Sequence, residues 1–261
     1  MGFFMRYTLY FLCLLPSALL SSHPGSCLQA EEPHHLVFMI AEREYKTEKT
    51  LPDFYKKHAA AYSASFISAK PDDPNTFTDI QSIKKADVLI LSVRRRTPPK
   101  EQLDYIRNHV KTGKPVIGIR TANHAFCLRN KPPPDGLDAW PDFDADVFGG
   151  NYTNHYGKEL AVQLRIPPDL HATCKQLLNG TEERFPCRAG GSLYCVSPLK
   201  RETHVLINGV VENQTPEPVA WTFRRPNGGK SFYTSLGHID DFHGPVLPKL
   251  LINAISWCLA D

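Results

Sequence analysis

The sequence has almost no net charge and no long basic segment. Its 261 residues contain 30 Lys and Arg against 27 Asp and Glu, so the formal charge is only +3. Domains that bind nucleic acid concentrate Lys and Arg on one face or along one helix. The densest basic cluster here is Arg94-Arg95-Arg96, which is better explained by a solvated strand end. We therefore expect no nucleic-acid partner.

Recognisable metal and redox motifs are also missing. The cysteines include no Cys-x-x-Cys pair and the histidines no His-Glu-x-x-His segment, the spacings typical of zinc sites and zinc proteases. Five cysteines remain if Cys13 and Cys27 leave with an N-terminal signal, and an odd number cannot all pair within one chain. An oxidising compartment would permit one disulfide among Cys174, Cys187 and Cys195, and the sequence does not select the pair.

Long hydrophobic runs are rare, and the longest one lies at the N-terminus. Residues 7–20 are apolar over about 14 positions, short of the ~20 of a membrane span and typical of a secretory signal. We predict a signal peptide over residues 1–30, cleaved after Ala30, and an exported domain over residues 31–261 with no integral membrane segment. Export would be to a periplasm or to the extracellular space. Lipid anchoring at Cys27 is disfavoured, because Pro24 occupies the position three residues upstream that is usually apolar.

The first half of the predicted domain alternates apolar runs of strand formers with amphipathic segments at helical spacing. The predicted strands cover residues 35–41, 65–69, 87–92 and 116–120. Thr97 as N-cap and Pro98 at the first helical position mark the start of the second helix. This alternation predicts a parallel sheet with helices on both faces, and ligands in such sheets bind beyond the carboxyl ends of the strands.

The second half predicts more strands and a closing helix. Further strand-like runs cover residues 160–166, 204–211, 218–223 and 230–236. Asn227-Gly228-Gly229 is a hairpin signal between the last two runs, so the sheet gains antiparallel strands at one edge. Residues 130–144 hold four prolines and Trp140 and predict a long loop of the kind that is often functional. We expect one α/β domain.

The segment GIRTANHAF, residues 118–126, follows the fourth predicted strand and resembles the turn on which several α/β enzymes present a nucleophile. The turn residue here is Arg120 or Thr121. Arg stays protonated and cannot attack a carbonyl. Thr121 would need an adjacent base in fixed geometry, and Cys127 lies farther along and is expected to pack inward.

The ordered set of motifs is similar to the ThuA-like (trehalose-utilisation) family. It comprises the turn above, GGNYTNHYG at 149–157, GSLY at 191–194, PVAWTF, KSFYTSLGH and LLINAISWCL, and it covers nearly all of residues 31–261. The resemblance implies the flavodoxin-like fold of class I glutamine amidotransferases and a link to sugar utilisation. The amidotransferase relatives carry a Cys nucleophile at this turn. Arg120 stands in its place, which argues against a glutaminase mechanism.

Three histidines at predicted strand ends are the main candidates for chemistry: His124, His155 and His238. Imidazole titrates near neutrality and can move protons on a sugar, with Arg120 stabilising an oxyanion or binding an acidic group. The second chemistry is a divalent metal such as zinc, held by two or three of these histidines, with or without Asp241, and polarising a carbonyl. The expected substrate-binding residues are Asn123, Tyr152, Asn154, Trp140 and Asp241.

The leading hypothesis is an exported protein that binds and transforms a small-molecule carbohydrate, a sugar or oxidised sugar derivative. The alternative is a non-catalytic carbohydrate-binding or accessory protein that keeps the fold with a degenerate turn. A third hypothesis is a hydrolase that uses Thr121 or Cys127 as nucleophile. The oligomeric state is not predicted.

Overall fold

The strand and helix patterns assemble around one large mixed sheet in the computed structural model, which describes residues 1–3 and 33–260. The strands are β1 His35–Ala41, β2 Ser63–Ser68, β3 Val88–Val93, β4 Val116–Ile119, β5 Asn154–His155, β6 Gln163–Arg165, β7 Cys187–Arg188, β8 Tyr194–Cys195, β9 Thr203–Val210, β10 Glu217–Arg224 and β11 Lys230–Thr234. The α-helices are α1 Thr47–Phe54, α2 Lys100–Lys111, α3 Phe143–Val147, α4 Ala172–Leu178, α5 Ile239–His243 and α6 Leu247–Leu259. The predicted signal peptide, its cleavage point and Cys27 lie outside the described residues.

The sheet has the strand order β2-β1-β3-β4-β11-β10-β9-β6-β7. The first five strands of this order are parallel, and the remaining pairs are antiparallel. The parallel half therefore has the flavodoxin-like order. The Asn227-Gly228-Gly229 turn joins β10 to β11 as the hairpin signal predicts, and the predicted single α/β domain is confirmed.

Alternate residues of the strands feed two cores, one on each face of the sheet. Leu36, Phe38 and Ile40 of β1 pack on the face covered by α1, α4 and α6. Val37 and Met39 point to the opposite face, which α2 and α3 cover. Strands β1, β3 and β4 are buried on both faces, and this is why their sequences are continuously apolar.

The predicted start of the second helix is wrong. Helix α2 begins at Lys100, with Pro99 as its N-cap residue. A residue that precedes proline is driven out of the helical region, so Pro98 cannot be helical in front of Pro99. Thr97 instead lies in the turn before the helix, where its backbone N–H donates to Asn75 Oδ1 at 3.0 Å.

Two further expectations concern cysteines and membranes. The five described cysteines, Cys127, Cys174, Cys187, Cys195 and Cys258, are free thiols, so the disulfide considered among three of them does not form in this structure.

Within residues 1–3 and 33–260, no helix has the length and apolar character that a membrane crossing requires.

Candidate functional site

The loops that follow β1, β3, β4 and β11 meet at one edge of the sheet, the carboxyl edge where flavodoxin-like folds bind ligands. Buried carboxylates hold two of these loops. Glu42, directly after β1, accepts the backbone N–H groups of Glu44, Tyr45 and Thr47 at 2.6, 2.8 and 2.9 Å. The loop after β1 is thereby fixed with Tyr45 facing the end of β4.

Arg120 occupies the sharp turn after β4. Its φ of +46° lies in the left-handed region that non-glycine residues seldom adopt, so the turn has a constrained backbone with an arginine in place of a nucleophile. Its carbonyl accepts the Tyr233 hydroxyl at 2.5 Å, and its guanidinium donates to the Ser235 carbonyl at 2.5 Å. The guanidinium lies between the rings of Tyr45 and Tyr194, at 4.3 and 4.7 Å.

The two alternative nucleophiles are not activated. Thr121 is fully buried and its hydroxyl has no hydrogen-bond partner, so no base is in place to take its proton. Burial raises the pKa of the Cys127 thiol above its usual value, which lowers the thiolate fraction at neutral pH. The hydrolase hypothesis therefore has no support from the geometry of either residue.

A polar cavity of about 360 Å³ opens beside the end of β4; we call it the His124 cavity. Its lining includes Arg95, Asn123, His124, Arg129, Asp144 and Tyr152. Asn123 is only 3% exposed, and its Nδ2 has no hydrogen-bond partner. A buried donor without a partner costs free energy, so a small movement of the Asn123 amide toward a ligand acceptor in the cavity would form an interaction that the protein does not make itself.

His124 is a neutral hydrogen-bonding group in this cavity. It is 7% exposed, its Nδ1 lies 2.8 Å from Asn123 Oδ1, and its ring packs on Tyr152 with centroids 4.5 Å apart. Burial, reinforced by the positive charges of Arg95, Arg94, Arg129 and Arg120, lowers the pKa of His124 to about 2. The cavity is therefore electropositive, and His124 is far from the pKa that suits a proton donor at neutral pH.

His155 lies next to this cavity on β5. Its Nδ1 is 3.0 Å from the Tyr152 hydroxyl, and its ring is near Tyr194 at 6.3 Å. Burial, followed by the positive charges of Lys158 and Arg120, lowers the pKa of His155 below its ordinary value. Its ring is half-exposed and neutral at pH 7, which suits a general base better than the buried His124. Asn154, the preceding residue on β5, is exposed.

Asp144 supports the same region from α3. Its Oδ2 accepts the backbone N–H of Tyr152 at 2.8 Å, and its Oδ1 accepts that of Ala145 at 2.9 Å. Burial raises the pKa of this carboxyl to about 6, against the lowering effect of the hydrogen bonds. Asp144 thus fixes Tyr152 and, through it, the position of His155.

A second cavity, of about 330 Å³, lies beside Arg120; we call it the Arg120 cavity. His238 lines it, packs on Tyr45 at 6.1 Å and uses Nδ1 to accept the backbone N–H of Asp240 at 3.3 Å. The Asp241 carboxylate accepts backbone N–H groups of Gly190 at 2.7 Å, Gly237 at 2.9 Å and His238 at 3.0 Å. Asp241 thus holds the loops that line the cavity.

The structure brings together only part of the predicted site. Asn123, His124 and Tyr152 line the His124 cavity, and His155 contacts it through Tyr152. His238 lines the Arg120 cavity, and Asp241 lies behind that lining, bonded to Gly190 and His238. Trp140 packs on Phe143 and donates its Nε1–H to Asp146 at 2.9 Å.

The histidines do not form a metal-binding set. Among residues 1–3 and 33–260, no group of three or more His, Cys, Asp or Glu side chains is arranged to hold a metal ion. His124 lines one cavity and His238 another, so the candidate histidines do not converge on a single ion.

Comparison with known proteins identifies the family of this chain. The ThuA family, described as trehalose utilisation, matches residues 36–258. The chain belongs to the ThuA family. Two ThuA-like proteins of known structure share the fold. The protein from Bacteroides uniformis has a TM-score of 0.60 at 16% identity, with 92% of this chain and 96% of that chain covered. The protein from Parabacteroides merdae has a TM-score of 0.56 at 13% identity, with coverages of 87% and 90%. Among curated proteins, none matches.

Several residues of the candidate site described above carry no strong local signal in the sequence. Tyr45 and Tyr194 lie far from Arg120 along the chain, yet their rings flank its guanidinium. Asp144 is one of several acidic residues in its segment. The Arg94-Arg95-Arg96 cluster was a usable signal, because it directly follows a predicted strand and so lies at the ligand-binding edge.

Proposed function

We propose that this ThuA-family chain binds and transforms a sugar or oxidised sugar derivative at the carboxyl edge of its sheet, with the reacting part of the ligand in the His124 cavity. The observation that supports this most strongly is the buried, unpartnered Nδ2 of Asn123 in a cavity lined by polar side chains. Hydroxyl and carbonyl oxygens of a sugar are suitable acceptors for that donor. The family description, trehalose utilisation, agrees with this ligand class, and the predicted signal peptide would place the activity outside the cytoplasm.

In this proposal the chemical roles are divided among the residues of the cavity. His124 remains neutral, because burial and the surrounding arginines lower its pKa to about 2, and it binds an oxygen of the ligand as a hydrogen-bonding group. Tyr152 and His155, whose Oη and Nδ1 are 3.0 Å apart, supply the proton transfer. His155 accepts a proton as a neutral imidazole.

The alternative function is a non-catalytic carbohydrate-binding module. It is favoured by one observation, the arginine at the turn where enzymes of related fold carry a nucleophile. Both functions use the same cavity, so ligand affinity cannot distinguish them. A measurement of whether the bound ligand is converted to product does.

Asn123→Ala is expected to weaken binding of the ligand about tenfold, because a hydrogen bond from a buried donor is lost. The measurement is calorimetric titration of the wild type and the variant with trehalose and with D-glucuronate. Asn108→Ala, an exposed amide on α2, is the control and should leave the affinities unchanged. Equal affinity of the Asn123→Ala variant and the wild type would place the ligand elsewhere.

His155→Ala is expected to lower turnover a hundredfold or more while the dissociation constant changes less than threefold, since general-base catalysis contributes about 10²–10⁴ in rate. Product formation from the bound sugar is followed by proton NMR. His171→Ala replaces an exposed histidine at the start of α4 and should retain full turnover. A wild type that binds the sugar and never converts it would establish the non-catalytic alternative.

A further inference from the structure

Arg120 is a buried cation that forms no direct ion pair, and the nearest negative charge acting on it is the Asp241 carboxylate. Its side chain is 2% exposed. In the part of the chain that the structure describes, no carboxylate lies within ion-pair distance of it. A buried charge is costly unless it is paired and fully hydrogen-bonded. The missing partner at Arg120 therefore calls for an explanation.

Much of the hydrogen-bonding capacity of this guanidinium is unused. Nη1 donates to the Ser235 carbonyl, Nη2 makes only a long contact of 3.4 Å with Ser192 Oγ, and Nε has no partner. Arg225, a second buried arginine near the amino end of β4, differs. Its Nη atoms donate to Lys230 O at 3.1 Å, Ser231 Oγ at 2.7 Å and Lys114 O at 2.5 Å. The Nε atoms of both arginines have no partner, so the difference lies at the Nη atoms: both of Arg225 make short hydrogen bonds, whereas Arg120 Nη2 makes only the long contact with Ser192.

The guanidinium of Arg120 borders the Arg120 cavity, while its Nε is buried away from it. Lys158 lines the cavity and adds a second positive charge, and Ser192 and His238 add polar groups. The lining of the cavity also includes the carboxylate of Glu44, which forms an ion pair with Arg94 at 3.0 Å. A Cβ at Gly191 would come within 2.5 Å of Arg120 Nη2, so only glycine lets the backbone pack this closely against the guanidinium.

We propose that the Arg120 cavity is a carboxylate-binding subsite, which makes the ligand of the ThuA-family site an acidic sugar of the uronic or aldonic acid class. The sugar part of this inference rests on the function proposed above. The fork of an arginine matches a carboxylate in bidentate geometry. The rings of Tyr45 and Tyr194 hold the guanidinium in place by cation–π contacts.

The test compares D-glucuronate with D-glucuronamide, which has the same shape without the charge. Calorimetry on the full chain is expected to show at least tenfold tighter binding of the carboxylate. Arg120→Gln should abolish that preference, while Arg225→Lys, the other buried arginine, should retain it. Since replacement of a buried residue risks unfolding, Lys158→Gln at the exposed rim provides a second readout. It should reduce the preference about threefold without changing the melting temperature.

The possible outcomes separate this inference from the proposed function. Equal affinity for the two probes, with both weakened by Asn123→Ala, overturns the carboxylate subsite and leaves the sugar site in place. A strong preference for glucuronate that is lost in Arg120→Gln but unaffected by Asn123→Ala supports the subsite and overturns the role of the His124 cavity. Tighter binding of D-glucose 6-phosphate than of glucuronate overturns the carboxylate assignment, and binding of no probe overturns both proposals.

Discussion

Below pH 6.5, the free energy of unfolding is expected to fall less steeply with decreasing pH in the His124→Gln variant than in the wild type. The expected difference in slope is about 1.4 kcal/mol per pH unit. Burial, together with nearby arginines, lowers the pKa of His124 from 6.5 to about 2 in the folded chain. Below pH 6.5 the unfolded chain therefore binds a proton at this residue that the folded chain does not bind. The free energy of unfolding of the wild type therefore decreases as the pH falls from 6.5 toward 2. The variant has no histidine at this position and does not show this decrease.

The measurement is urea unfolding of the wild type and the variant between pH 7.5 and pH 5, over which the difference should reach about 2 kcal/mol. His109, with its pKa lowered by burial to about 4, and Asp144, with its pKa raised by burial to about 6, titrate in both proteins. They therefore cancel in the comparison. His58→Gln, an exposed site on the chain after α1, is the control. Parallel curves for wild type and His124→Gln would mean that His124 titrates as an ordinary histidine.

Asp241→Ala is expected to lower the free energy of unfolding by about 2 kcal/mol, because the buried N–H of Gly237 loses its acceptor, as do the part-buried N–H groups of Gly190 and His238. A buried donor left unsatisfied costs about 1–3 kcal/mol, and water replaces part of the loss at the other two groups. The Asp241 carboxylate is the acceptor for Gly190, Gly237 and His238, so the Arg120 cavity should also lose its shape. Chemical denaturation and glucuronate titration check the two effects.

Asp240→Ala provides the matched control for this prediction. The Asp240 side chain is 70% exposed, and its carboxylate lies 3.3 Å from His238 Nδ1, an exposed contact worth little. Its removal should change stability by less than about 0.5 kcal/mol. If Asp241→Ala proved as mild as Asp240→Ala, the assignment of Asp241 as the acceptor that holds these loops would be wrong.

The fold was predictable from the sequence wherever local pattern and packing agree. Strands β1, β3 and β4 are continuously apolar because both faces of the sheet are covered, and the Asn227-Gly228-Gly229 turn specifies an antiparallel hairpin. The start of α2 was missed because the restriction that Pro99 imposes on Pro98 outweighs the capping preference of Thr97.

The site was predictable only in part, since its members are brought together by contacts distant in sequence. Topology places Arg120 and His124 at the carboxyl edge, because β4 is a parallel strand. No local signal indicates that Tyr45 and Tyr194 enclose Arg120 or that His238 lies at a different cavity from His124. The lowered pKa of His124 likewise depends on burial and on several arginines at once, a property of the folded chain alone.

The central claim is that the carboxyl edge of the sheet binds a sugar derivative at the His124 cavity. Its most direct test is an NMR titration that follows the assigned imidazole signals of the histidines as D-glucuronate is added at pH 7. The account predicts saturable shifts of the His124 and His155 signals and none of the His58 signal. Saturation of binding with both of these signals unmoved, or with shifts confined to the stacked pair His171 and His204, would contradict it.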